Sequence, residues 1–75
     1  MSPRNITIGP NGSGRWAVKR EGASRPISTH RKQETAIEHG RPIARKNEVE
    51  FIIRGRDGRI RAKDSYGNDP RNIRG

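Results

Sequence analysis

Isoleucines at positions 6 and 8 alternate with Asn5 and Thr7, a period of two that predicts a strand with one buried face. Gly9-Pro10-Asn11-Gly12-Ser13-Gly14 is dense in turn residues, and Arg15 to Arg20 then alternates again. Trp16 and Val18 fall on one face of this second segment, and Arg15, Ala17 and Lys19 on the other. Glu21-Gly22-Ala23 reads as a second turn. Arg25 to His30 follows as a third strand, with Ile27 inward and Pro26 marking an edge position. Short turns predict an antiparallel meander.

The period changes at Gln33. Through Lys46, the residues Ala36, Ile37, Gly40, Ile43 and Ala44 share one helical face. Glu34 in the first turn and Arg45 and Lys46 in the last suit the helix dipole. Pro42 removes an intrahelical hydrogen bond, and Gly40 weakens the same turn, so the pattern predicts a kinked helix or two pieces meeting near Arg41. Val49 to Arg54 is apolar and β-branched, and Asp57-Gly58 is a strong hairpin signal. Arg59 to Asp64 returns as the last strand. The order is β-β-β-α-β-β: an α+β fold in which an antiparallel sheet packs one face on the helix and leaves the other to solvent. Residues 1–66 are expected to form one compact domain, with 67–75 a flexible basic tail and Tyr66 packing back on the core.

Length and composition narrow this picture. Seventy-five residues allow one small core, and a hydrophobic share of 27% against 33% charged leaves little apolar material to build it. There is no cysteine, which excludes disulfides and thiolate metal sites and suits a reducing cytoplasm. No apolar run is long enough to span a membrane, and Met1 to Gly9 lack the apolar centre of a signal peptide, so a cytoplasmic location is expected.

Charge changes the picture most. Seventeen Lys and Arg against eight Asp and Glu give a formal charge of +9. Self-repulsion at that density disfavours the compact state, and a polyanion would relieve it. The second hairpin concentrates this charge. A two-residue Asp57-Gly58 turn sets Arg56 opposite Arg59 and Arg54 opposite Arg61, all four on one face, with Ile53, Ile60 and Ala62 on the other. Lys63 lies one step along, opposite an exposed Ile52. Directly opposed like charges are destabilising, which an anion bound to them would relieve; the alternative is a solvated face whose long side chains splay apart in screening salt. A two-stranded ribbon fits the DNA major groove. Arg15 and Lys19 extend the same surface from the first hairpin, while Arg41, Arg45 and Lys46 form a separate basic edge on the helix.

Other chemistry is sparse. Trp16 and Phe51 fit core positions, which leaves few aromatics for stacking on unpaired bases and favours duplex DNA over RNA as the nucleic acid. His30 and His39 have no metal-ligand spacing, and Ser28 and Ser65 have no adjacent base. The Gly-rich turn joins two strands and lacks the ending of a phosphate-binding loop. No catalytic, metal or cofactor site is expected. The leading reading is a non-enzymatic nucleic-acid-binding accessory protein, monomeric or weakly dimeric, using Arg54, Arg56, Arg59, Arg61, Lys63, Arg15 and Lys19. The alternative is an adaptor or inhibitor that docks its basic sheet on an acidic protein, with Ile52 as the interface centre.

Trp16-Ala17-Val18-Lys19-Arg20-Glu21-Gly22, Gly55-Arg56-Asp57-Gly58-Arg59-Ile60 and Lys63-Asp64-Ser65-Tyr66-Gly67-Asn68-Asp69-Pro70 resemble, in order and spacing, a family of small bacterial proteins catalogued as a domain of unknown function. The resemblance covers about residues 14–70. It implies a compact α+β unit and brings no activity or site residues to transfer.

Overall fold

The computed structural model describes residues 4–66. Strands β1 (Ile6–Pro10), β2 (Trp16–Arg20) and β3 (Ser28–His30) precede helix α1 (Gln33–Asn47), and β4 (Glu50–Arg54) and β5 (Ile60–Ser65) follow it. They form one five-stranded sheet in the order β3-β2-β1-β4-β5. The expected tail at 67–75 lies outside the described residues.

The element order follows the sequence pattern, but the sheet is mixed where an antiparallel one is expected. β1 and β4 pair in parallel, with Ile6 beside Phe51 and Ile8 beside Ile53. The physical reason lies in the two faces of β4. Phe51, Ile52 and Ile53 are all buried, so this strand needs neighbours on both edges. The meander leaves one edge of β1 unpaired. Helix α1 carries the chain back across the sheet, so that β4 enters beside β1 in the same direction.

The core lies between the helix and one sheet face. Ile6, Ile8, Trp16, Val18, Phe51 and Ile53 supply the sheet side, and Ala36 and Ala44 the helix side. Gly40 is buried between these two alanines, and a Cβ built on it would lie 2.9 Å from Ile8 Cδ1 and 3.0 Å from Phe51 Cε1. The missing side chain therefore sets how closely the helix approaches the sheet. The helix is continuous through Pro42, which excludes the alternative of two pieces meeting near Arg41. Pro42 and Glu38 are both exposed, so water can satisfy the carbonyl that the proline leaves unbonded. Glu48 ends the helix in the left-handed region (φ 56°), and the Val49 N–H donates to the Ala44 carbonyl at 3.1 Å.

Three apolar residues move from their expected places. Strand β3 starts only at Ser28, and Ile27 is 37% exposed, although its N–H donates to the Val18 carbonyl at 2.6 Å. Ile52 sits between Thr7 and Lys63 in an interior strand and is 5% exposed, so it is no surface anchor. Ile60 is 53% exposed, because the register of the β4–β5 hairpin differs from the expected one.

That hairpin turns over Gly55–Gly58. The Gly58 N–H donates to the Gly55 carbonyl at 2.9 Å, and the Gly55 N–H to the Arg59 carbonyl at 2.8 Å. Gly58 has φ +83°, a conformation that favours glycine, and Asp57 Oδ1 accepts from the Arg59 N–H at 3.0 Å. This is a three-residue loop built on a turn with a left-handed glycine. Ile53 still pairs with Ala62, but Arg54 pairs with Ile60 across an irregularity that leaves Arg61 without a partner in the register.

Candidate functional site

The two faces of the sheet differ in chemistry. Alternation puts Ile6, Ile8, Trp16, Val18, Phe51 and Ile53 under the helix, and Thr7, Gly9, Ala17, Lys19, Ile52 and Arg54 on the open side. On that side the central strand carries only Thr7 and Gly9, and its neighbours carry Lys19 and Arg54. Small side chains in the middle and long ones beside them make a trough of about 330 Å³ lined by Thr7, Gly9, Ala17, Lys19, Arg54 and Gly58, among others.

Among the described residues Lys19 and Arg54 have no ion-pair partner, although Glu21 also lines the trough, where its Oε1 accepts from Asn5 Nδ2 at 3.0 Å. Arg54 Nη1 donates to the Gly58 carbonyl at 3.1 Å, which holds its guanidinium along the hairpin. Among the described residues, the ion pairs are Arg41–Asp64, Arg59–Asp57 and Lys63–Glu50, and none includes Lys19, Arg54 or Arg15. Arg15 lies one step before Trp16, hence on the open side by alternation, and its Nη2 donates to the Thr29 carbonyl at 3.4 Å. Lys63 shares this side opposite Ile52, but Glu50 sits 3.3 Å from its Nζ.

The expected fan of four hairpin arginines does not form. Only Arg54 reaches the trough. The three-residue loop puts Arg56 at the corner, and its guanidinium lies 5.2 Å from the centroid of the Trp16 ring on the helix side. Arg59 is at the hairpin tip with its side chain 88% exposed, 3.8 Å from Asp57. The Arg61 stem covers Gly55, with Cδ 2.8 Å from where a Cβ would stand. Arg56→Ala is expected to cost about 0.5–1 kcal/mol and to red-shift the emission of the single tryptophan as water reaches its ring. An unchanged emission maximum would show that the guanidinium does not cover it.

Two helix cations also have structural partners. Arg41 Nη1 donates to Asp64 Oδ2 at 2.8 Å and to the Tyr66 hydroxyl at 2.6 Å, and its guanidinium lies 5.2 Å from the Phe51 ring centroid. The Asp64 hydrogen bond, then that of Tyr66, raises the Arg41 pKa above its ordinary value. A raised cation contributes below its unfolded pKa and is lost only as pH rises through the folded one, so Arg41 stays charged through acid and neutral conditions. Arg45 lies 5.5 Å from the Tyr66 ring centroid. These contacts tie the helix to β5 and Tyr66, which packs against the core as expected.

On the helix side, Ser28 Oγ hydrogen-bonds His30 Nε2 at 2.9 Å, which corrects the expectation that Ser28 has no adjacent base, because residues two apart share one strand face. The His30 and His39 ring centroids are 5.2 Å apart. Among the described residues no group of three His, Cys, Asp or Glu side chains is placed to hold a metal ion, and no helix is long and apolar enough to cross a membrane.

Sequence reasoning misses Thr7, Gly9 and Ala17 as site residues. Their signal is the coincidence of small residues at facing positions, Gly9 opposite Ala17, which emerges only once the strand register is known.

Neither a curated protein nor a solved structure matches this chain. A family model does, over residues 6–66, and these span all five strands and the helix. The chain therefore belongs to DUF2188, described as an uncharacterized protein conserved in bacteria.

Proposed function

We propose that this protein is a non-enzymatic nucleic-acid-binding module that uses the open face of its sheet. The observation that carries the reading is the trough itself. Lys19 and Arg54 flank a strand of small side chains, and no carboxylate is in ion-pair range of either among the described residues. Arg15 adds a third cation on that side, and the chain carries +9 overall. Exposed cations without partners repel one another and gain from a polyanion, whose counterions they release. Arg59 at the hairpin tip and Lys63 beside Glu50 extend the surface with weaker claims, because each has an acidic neighbour. Arg56 and Arg61 act chiefly as packing groups for Trp16 and Gly55. The alternative of docking on an acidic protein loses its proposed anchor, since Ile52 is buried.

The test is a titration of a fluorescent duplex with the protein at two salt concentrations, beside a Lys19→Gln/Arg54→Gln variant. Wild type is expected to bind in the micromolar range at low salt. The variant removes two phosphate contacts, so its log–log salt slope should be shallower by about 1.8. Absence of duplex binding at low salt would overturn the reading, and so would a variant with the wild-type slope.

A further inference from the structure

We infer that the trough seats the sugar–phosphate backbone of duplex DNA directly on β1, and that Gly9 is the residue that keeps this seat open. The inference rests on the nucleic-acid reading above and names the form of the ligand and the point of closest approach.

Three observations converge. The first is the layout of charge. Lys19 pairs with Thr7 on one side of β1, and Arg54 lies beside Gly9 on the other. Strand spacing and rise separate the two Cα atoms by roughly 12 Å, diagonally across β1. Two long cations so placed can hold a polyanionic strand that crosses the sheet between them.

The second observation is the absence of a stacking surface. The chain has one Trp, one Phe and one Tyr. All three pack with the helix-side core, so no aromatic is left for the open face. Recognition of unpaired strands relies on bases stacked upon aromatic rings, and this face offers none. Its complement is a strand whose bases stay paired and which presents its backbone.

The third is the hairpin tip. Gly58 lines the trough, and Arg59 next to it is almost fully exposed. A two-stranded ribbon projecting beside a bound backbone enters the adjacent major groove of B-form DNA, which is wide enough for it. The major groove of A-form RNA is deep and narrow and excludes it. Charge, shape and the missing aromatics thus favour the same occupant.

Gly9 allows the seat to be tested without touching charge. Its φ is outside the left-handed region. A Cβ there would lie 3.7 Å from Arg54 Cδ and 3.8 Å from Arg54 Cβ, ordinary contacts. Valine suits a strand and fits the fold, but its methyl groups would fill the middle of the trough. Gly9→Val is expected to melt at or above the wild-type temperature and to bind duplex DNA at least tenfold more weakly, with the salt slope unchanged. Gly9→Ala should fall in between, and it decides the matter if the valine variant misfolds.

The same oligonucleotide sequence is offered to wild type as duplex DNA, duplex RNA and single-stranded DNA, with duplex DNA expected to bind tightest. If both Gly9 variants fold and bind as wild type, the backbone does not sit on β1 and the inference fails. The cationic-face reading would then survive wherever Lys19→Gln/Arg54→Gln still weakens binding. Preference for single-stranded DNA or duplex RNA would also overturn it. Failure of wild type to bind any nucleic acid would instead remove the reading on which it rests.

Discussion

Leucine at position 40 is expected to lower the thermal midpoint by about 12 °C or more. A Cβ on Gly40 would already stand 2.9 Å from Ile8 Cδ1, 3.0 Å from Phe51 Cε1 and 3.2 Å from Val18 Cγ1. Those neighbours come from three adjacent strands and are fully buried, so none can swing into solvent. Leucine adds three further carbons, and the helix must lift from the sheet to admit them. Overpacking of this kind costs about 3 kcal/mol at the upper end of its usual range. A domain of this size has roughly 4–11 kcal/mol in all, and each kcal/mol is about 4–8 °C in the midpoint. Gly40→Ala gains about 1 kcal/mol in helix propensity, but its methyl meets three buried carbons at 2.9–3.2 Å, so its midpoint should fall too, by less than that of the leucine variant. A circular-dichroism melt of both variants checks the pair. A wild-type midpoint for the leucine variant would mean that the helix does not ride this close.

Phe51→Ala is expected to cost about 3–5 kcal/mol, the usual range for truncating a buried phenylalanine. Phe51 is among the largest fully buried side chains, and it also lies against the Arg41 guanidinium that links the helix to Asp64 and Tyr66. The loss therefore combines a cavity with a loosened polar cluster. Because Phe51 and Gly40 contest the same space, the two substitutions should couple. The double variant is expected to be more stable than the sum of the single changes by at least about 1 kcal/mol, as leucine fills part of the phenylalanine cavity. Urea midpoints of the four proteins close the cycle, and strict additivity would show that the residues do not share a packing site.

Local patterning made the elements legible. Ile6, Ile8, Trp16 and Val18 alternate as their strands require, and Ala36, Gly40 and Ala44 recur at the helical repeat. What alternation does not carry is partner choice. Nothing within Val49 to Arg54 states that β4 runs parallel to β1, because that outcome depends on where the helix delivers the chain. Gly58 was equally ambiguous. A left-handed glycine suits a two-residue hairpin turn and also the third position of a longer loop. The longer loop shifts the register by one step. That step sends Arg56 to the Trp16 ring and leaves Arg54 as the hairpin arginine that lines the trough. Gly40 was legible as a helix-face residue, but its role as a spacer depends on Ile8, Val18 and Phe51, which are remote in sequence. The basic character of the site was thus readable, and its floor was not.

The position of β1 in the middle of the sheet has a consequence for synthesis. Its partner on one side, β2, follows after a short turn, but its partner on the other, β4, is separated from it by two strands and the whole helix. While a ribosome is still producing the helix, a meander of β3, β2 and β1 would hold an unpaired edge beside Ile6 and Ile8. Such an edge is a template for pairing with other chains. The contact that closes it is of long range and slow to form. Folding should therefore finish only after residues 50–54 have emerged, and nascent chains stalled before them should bind chaperones that full-length protein escapes. The strand made before the other four waits longest for its second partner.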